Sequence, residues 1–380
     1  MKNLTKTKYH SFKKGELCKG CKKCVKGEKL VLFITGLCSQ KCFFCPVSEK
    51  KFGKDTAYAN EYRIKNPSFP KELFEEVRLT SAKGAGITGG DPLCNLKRTL
   101  EYIRKLKQEY GKGFHVHLYT TLALVTRSVL KKLFDSGLDE IRFHPDLNKK
   151  SDWKKIELSN KFDWDVGVEI PLIPTMKTKT RELLDFLNKK IKFLNLNELE
   201  LSDTGISHYR LSQMNFVPKD SISYAVKGSI EFGKELMDYA KKYSYSIHLC
   251  TAKLKDSVQV KQRILRRAKN IALSTDKTTK DGLLLRGCIY LVELSPKEIG
   301  YRKKLSELSA KDRADILKKV KGISNKLKFQ NFVDSKKLRI LASIESVKSN
   351  KRLLKQMILV PAVVEEYPTD DVLETEIEFL

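Results

Sequence analysis

The chain has 380 residues, 41% of them hydrophobic, which suits one large domain plus a smaller one and excludes a disordered chain. No apolar run approaches ~18 residues and the first residues lack an apolar signal segment, so a cytoplasmic protein without membrane contact is expected. The net charge of +28 favours a polyanionic partner, chiefly nucleic acid, although an excess of 58 lysines over 16 arginines equally describes a solvated or heat-adapted surface.

In chain order, residues 1–28 read as a Cys-rich extension. The run Lys29-Leu-Val-Leu-Phe-Ile-Thr-Gly36 is a buried strand. Further strands are predicted near 84–88, 114–120, 140–144, 165–173, 198–204 and 246–250. Between them lie helical patterns over 70–81, 96–110, 126–135, 152–160, 178–194 and 221–243. The first helix is signalled by Ser68, Pro70 and Glu72. Such βα alternation means a parallel sheet with helices outside it, whose active site belongs at the carboxyl ends of the strands. Period-two spacing puts His115, His117 and Tyr119 on one face, Arg142 and His144 on another, and Glu198, Glu200 and Ser202 on a third. Strands of a parallel barrel are normally apolar on both faces. These polar ladders therefore predict a polar lumen, with Arg142 facing Glu169, Glu200 or an anionic ligand, because an unpaired buried guanidinium is costly.

Residues 251–360 carry 28 basic against 10 acidic residues, and 361–380 carry seven acids and no base. This stretch, 251–380, is expected to be a separate, basic α+β domain. Ser295-Pro-Lys-Glu298 has the form of a capping box opening a helix over 295–308. The basic run Lys261, Arg263, Arg266, Arg267 and Lys269 reads as a solvated helix face.

Six of the nine cysteines fall within 28 residues, which argues against a disulfide framework and for soft-metal or iron–sulfur ligation. Cys18, Cys21 and Cys24 form CxxCxxC, suited to a second iron–sulfur cluster or a zinc site, with His10, Cys94, Cys250 and Cys288 as fourth-ligand candidates. Cys38-Ser-Gln-Lys-Cys42-Phe-Phe-Cys45 follows the first buried strand. Its spacing lets three thiolates wrap a cubane and leave one iron open; by spacing alone a zinc knuckle also fits.

Cys38, Cys42, Phe44 and Cys45 match CxxxCxΦC position by position, and here the chain resembles the radical S-adenosylmethionine (SAM) superfamily. The resemblance implies a [4Fe–4S] cluster on Cys38, Cys42 and Cys45, and SAM held at the open iron. Electron transfer would then cleave SAM to a 5′-deoxyadenosyl radical that abstracts a hydrogen atom. It implies a partial (β/α)6 barrel over 29–250. Gly89-Gly90-Asp91-Pro92 is similar to the family's GGEP turn, with Asp91 where Glu is usual. By the same resemblance Phe44, Gly89, Gly90, Asp91, Thr120, Thr121, Arg142, His144 and Ile170 are the SAM-binding candidates, with Ile170 on the strand against the adenine. No catalytic residue beyond these is identified. Over its length the chain resembles an archaeal group of such proteins related to pyruvate formate-lyase activating enzymes. A reductant of ferredoxin or flavodoxin type is implied. The charge makes tRNA or another RNA the first substrate expectation. The alternative is the same chemistry on a protein, glycyl-radical activation included, or on a small metabolite. A metal-containing RNA-binding protein without catalysis stands third.

Overall fold

The apolar run after the cysteine-rich extension forms β3, Leu30–Phe33, and the expected alternation follows it. The computed structural model describes residues 5–201, 210–221 and 223–380. In it β3 is joined in order by β6 (Gly84–Thr88), β7 (His115–Thr121), β8 (Glu140–His144), β9 (Asp165–Leu172), β10 (Phe193–Glu198) and β11 (Ser246–Cys250), all parallel. Short antiparallel strands extend both edges, β4 (Tyr58–Ala59) and β5 (Tyr62–Arg63) at one, β2 (Phe12–Lys14) and β1 (Thr5–Lys6) at the other. The sheet thus remains a partial barrel of parallel strands with antiparallel margins.

Helices α2 (Lys71–Leu79), α3 (Leu96–Tyr110) and α4 (Arg127–Asp135) lie close to their predicted bounds, whereas α5 (Lys177–Leu187) stops seven residues short of the predicted 194, where β10 has already begun. Thr126 caps α4 by accepting the Val129 N–H. Leu73, Val77, Ile103, Leu106, Leu130, Leu133, Leu183 and Leu184 join the strands in one buried core, each such side chain stabilising the fold by about 1.5–3 kcal/mol. Residues 152–160 lie within a 3₁₀ run, Lys150–Lys161.

Three expectations are corrected. The strand predicted at 198–204 is β10, which ends at Glu198; its buried Phe193-Leu-Asn-Leu core lies earlier, and Ser202 lies outside the described residues. The helix predicted over 221–243 spans Ser229–Tyr239. The N-terminal extension is no appendage, because β2 pairs with β11 and the helix α1 (Lys19–Cys24) touches β6 and β7.

The chain divides into two compact units, Met1–Arg263 and Ile264–Leu380, so the boundary falls later than the predicted residue 251. The second unit is α+β as expected. Its antiparallel sheet runs β14 (Asn331–Asp334), β15 (Arg339–Ala342), β13 (Leu284–Leu291), β16 (Leu359–Glu366), β17 (Glu374–Phe379), with β12 (Lys277–Thr278) beside β13. The predicted capping box at Ser295 makes only a turn. The helix begins at Tyr301, after Gly300 at φ 76° breaks the run. The basic run at 261–269 is not wholly solvated: Arg267 is buried and its guanidinium bonds the Pro368 carbonyl.

Candidate active site

β3 delivers the chain to its carboxyl end at Ile34, and the cysteine loop starts there. The neck of the loop is closed by backbone bonds from Gly36 N–H to the Lys54 carbonyl, 2.8 Å, and from Gly53 N–H to the Gly36 carbonyl, 2.9 Å. A Cβ on Gly36 would lie 1.7 Å from the Lys51 carbonyl oxygen, so only glycine allows the closure. Arg98 stabilises the neck from α3, donating to the Ile34 carbonyl at 2.8 Å and to Asp55 at 2.7 Å.

The turn after β6 interlocks with this loop. Gly90 N–H donates to the Thr35 carbonyl and Asp91 N–H to the Leu37 carbonyl, both at 2.8 Å. Cβ atoms on Gly89 and Gly90 would stand 2.5 and 2.3 Å from the Thr35 and Leu37 carbonyl oxygens. The two glycines thus serve first to bring two backbones together.

A cavity of about 590 Å³ opens at this end of the barrel. Cys38, Cys42 and Cys45 line it, with Phe44, Gly89, Gly90, Thr120, Thr121, His144 and Ile170. Beside it a smaller hollow of about 150 Å³ shares Cys42, Phe44, Thr121, His144 and Ile170. The Phe44 ring stands 5.6 Å from that of His144, which is held by its Nδ1 against the Glu169 carbonyl at 3.0 Å. Nine of the predicted residues around the cysteine loop and the glycine turn, together with Ile170, therefore meet in one place.

Asp91 and Arg142 do not line that cavity, which corrects their assignment as ligand-binding side chains. Asp91 is fully buried and its carboxylate is spent on the protein. It accepts from Leu93 N–H at 3.0 Å, Thr120 Oγ1 at 2.8 Å, and Thr121 Oγ1 and N–H at 2.6 and 3.2 Å. It ties the β6 turn to the end of β7, and so positions Thr120 and Thr121. Arg142 lies deeper. Its Nε donates to Glu140 at 2.6 Å, and Nη1 to Tyr119 Oη and Glu169, both at 2.8 Å. Of the partners predicted for it, Glu169 is the one realised. Burial alone would raise the Glu169 pKa, but Arg142, Asn195 and Asn197 outweigh burial and hold it below the usual carboxylate range.

The polar lumen is borne out in His115, His117, Tyr119 and Arg142, and Glu140, which the sequence reading did not name, stands among them. The sequence reading missed Asn195 and Asn197, which bond Glu169 at 2.8 and 2.9 Å. The alternation Phe193-Leu-Asn-Leu-Asn-Glu198 carries the period-two signal that would have found them. It also missed Lys51 and Lys255 on the cavity wall, for which no periodicity exists.

The helix α1 sits in this lumen. Gly20 N–H donates to Glu140 at 3.0 Å, and a Cβ on Gly20 would fall 2.3 Å from Arg142 Nη2. That same Nη2 lies 3.2 Å from Cys18 Sγ and 3.7 Å from Cys21 Sγ, while Asn195 donates to Cys21 Sγ at 3.4 Å. The Arg142 guanidinium thus lies against two of the three thiols that the sequence reading assigned to a possible second metal. Cys94 takes the Ser39 backbone N–H, Cys250 takes Gln259 at 3.9 Å, and Cys288 is in the core of the second unit. Among the described residues no three His, Cys, Asp or Glu side chains converge as they would on a single metal ion. A cubane gives each thiolate a separate iron, so three thiols spread over one cavity wall suit it better than they suit zinc. Burial raises all three thiols of the loop, Cys42 to about 12, and a bound cation would favour their thiolates. On donor chemistry and placement, the loop fits the cluster.

A model of the Radical SAM superfamily matches residues 32–149. Over 370 residues, 95% of this chain and 92% of the other, the sequence is 38% identical to a "putative glycyl-radical enzyme activating enzyme" of Methanocaldococcus jannaschii. Two solved structures overlap more loosely. Coproporphyrinogen III oxidase from Escherichia coli, a radical SAM enzyme, is 9% identical with a TM-score of 0.37, over 90% of this chain and 93% of that one. Methylornithine synthase is 13% identical with a TM-score of 0.38, over 60% of this chain and 71% of that one.

Proposed function

Because the chain belongs to the radical SAM superfamily, and is therefore an enzyme whose cofactors are a [4Fe–4S] cluster and SAM, we propose that it abstracts a hydrogen atom from a protein substrate, as a glycyl-radical activating enzyme does. The observation that carries the substrate class is the 38% identity, over nearly the whole of both chains, to the archaeal relative described in those terms. When bound, the cofactors supply a carbon-centred radical that takes the hydrogen.

The chain's own residues do the rest. Cys38, Cys42 and Cys45 would hold three irons of the cluster. The Gly89–Gly90 turn brings bare backbone to the cavity wall for the polar end of SAM. Thr120 and Thr121, set by Asp91, face the sugar. Phe44, His144 and Ile170 give the smaller hollow an apolar side, and its size suits the base. An external reductant of ferredoxin or flavodoxin type delivers the electron.

The RNA reading of the net charge finds no support in these comparisons. Part of the second unit's basic content is also turned inward: Arg286, Lys337 and Arg339 are buried among Asp276, Glu366 and Glu374. Within the described residues no helix is long and apolar enough to cross a membrane.

The test is anaerobic. Reconstituted enzyme, SAM and dithionite are mixed with fractionated extract of the source cells. Formation of 5′-deoxyadenosine together with a glycyl radical signal in the protein fraction is expected. Turnover supported by the RNA or small-molecule fraction alone would overturn the proposal.

A further inference from the structure

The cavity has a second wall, opposite in character to the cysteine loop and unused by the family assignment. It is built where β10 ends and where the chain leaves β11. Glu198 is 3% exposed and lines the cavity. Its Oε2 accepts the Ala252 N–H at 2.7 Å; among the described residues no partner stands on Oε1. Glu200 and Lys255 also line the cavity and form an ion pair with each other. Lys255 is the first residue of a π-helical turn, Lys255–Val260, between the helices Ala252–Leu254 and Lys261–Ile271. Such turns are rare and are frequently found at functional sites. Here the turn opens on an ammonium that pairs with one carboxylate, Glu200, and shares the cavity wall with another, Glu198.

Consider what a site must do to select one glycine residue in a protein. Glycine offers no side chain, so the only handles next to its Cα are its own N–H and C=O. Holding that Cα still requires an acceptor for the first and a donor for the second. Charged partners make the stronger bonds, particularly in a cavity shielded from water. We propose that Glu198 and Lys255 form a backbone clamp for the glycine under attack, the carboxylate accepting its N–H and the ammonium, oriented by Glu200, donating to its carbonyl. This rests on the glycyl-radical reading above. The clamp is a positioning device: it sets which hydrogen faces the radical and takes no part in bond breaking.

The probes are short peptides carrying a central glycine deuterated at Cα, and the same peptides with that residue N-methylated, which removes the N–H donor. The readout is deuterium in 5′-deoxyadenosine. For the wild-type enzyme, N-methylation should lower deuterium transfer about tenfold, as loss of one hydrogen bond to a charged group implies. In Glu198→Ala that penalty should vanish, both peptides reacting at the same low rate. Lys255→Met should slow both peptides about tenfold while keeping the penalty, which separates loss of the clamp from a general defect of folding. If glycine peptides donate deuterium but the penalty persists in Glu198→Ala, the clamp is wrong and the function stands. If wild-type enzyme cleaves SAM and no glycine peptide donates deuterium, the glycyl reading falls and the clamp with it.

Discussion

Each of the two units buries an arginine among carboxylates, and the two networks end differently. In the second unit Arg339 donates to Asp334 at 2.8 Å, to Tyr290 at 2.9 Å and to both oxygens of Glu366 at 2.7 Å. Arg286 reaches the same Glu366 and Asp276. None of these side chains is among the buried unpartnered ones. In the barrel, Arg142 is equally buried, yet its network has loose ends. Among the described residues His117 Nδ1 is buried without a hydrogen-bond partner, and His115 Nε2 makes no hydrogen bond and lies 3.5 Å from Glu140; two thiols share one guanidinium nitrogen, and Tyr119 and Glu169 reach the cavity wall. Burial holds both histidines neutral, His115 down to about 2 with Lys29 and Arg142 adding to the effect. Buried charge alone therefore does not mark a site. A closed network is structural; one that borders a cavity and leaves polar atoms unspent is where a ligand belongs.

The comparison breaks most sharply at the thiols. Replacing Cys38, Cys42 and Cys45 by Ala should remove the ~4 irons of one cubane and abolish 5′-deoxyadenosine formation. Replacing Cys18, Cys21 and Cys24 should leave the iron content of the reconstituted enzyme unchanged. Iron analysis and absorption spectra check both, and a second set of irons lost with the lumen triplet would restore it as a metal centre.

Arginine deletions sharpen the contrast. Arg142→Met and Arg339→Met should each destabilise their unit by about 3–5 kcal/mol, since each strands buried carboxylates. At a temperature where both variants remain folded, only Arg142→Met should also impair SAM cleavage, through Tyr119 and Glu169 on the cavity wall. Equal activity in the two variants would erase the distinction drawn above.

A smaller effect is expected at the glycine turn. Gly90→Ala forces a methyl against the Leu37 carbonyl and should cost about 1–3 kcal/mol, as overpacking does. Because the strain falls on the cysteine loop, SAM cleavage should drop more than tenfold while thermal unfolding shifts modestly.

The smallest effect concerns acid. Burial opposes the ionisation of Glu374, but Lys337 and Tyr301 outweigh it and bring its pKa from 4.5 down to about 2. A depressed carboxylate stabilises the fold above its unfolded pKa and loses that contribution as pH falls from about 4.5 toward 2. Hydrogen exchange in the second unit should show this loss, and Glu374→Gln should flatten it.

Periodicity and spacing determined a good deal here. The βα alternation, most strand bounds, the cysteine loop after a buried strand and the polar lumen were all legible, because each depends on a repeat of two or 3.6 residues or on a short covalent spacing. The division into a barrel and a basic α+β unit was legible in charge. What only the tertiary structure decided were the partners. Asp91 and Arg142 sit in the right motifs, but their charges are spent on Thr120, Thr121, Glu140 and Glu169. The CxxCxxC triplet has a metal-like spacing, yet folding slides α1 into the lumen against a guanidinium. Lys255 reaches the cavity through a π turn that no pattern announces. A buried charge takes whichever partner the packed fold brings within about 3 Å, and for Arg142 that choice fell on strands and a helix drawn from residues 18 to 169 of the chain, beyond the reach of local sequence.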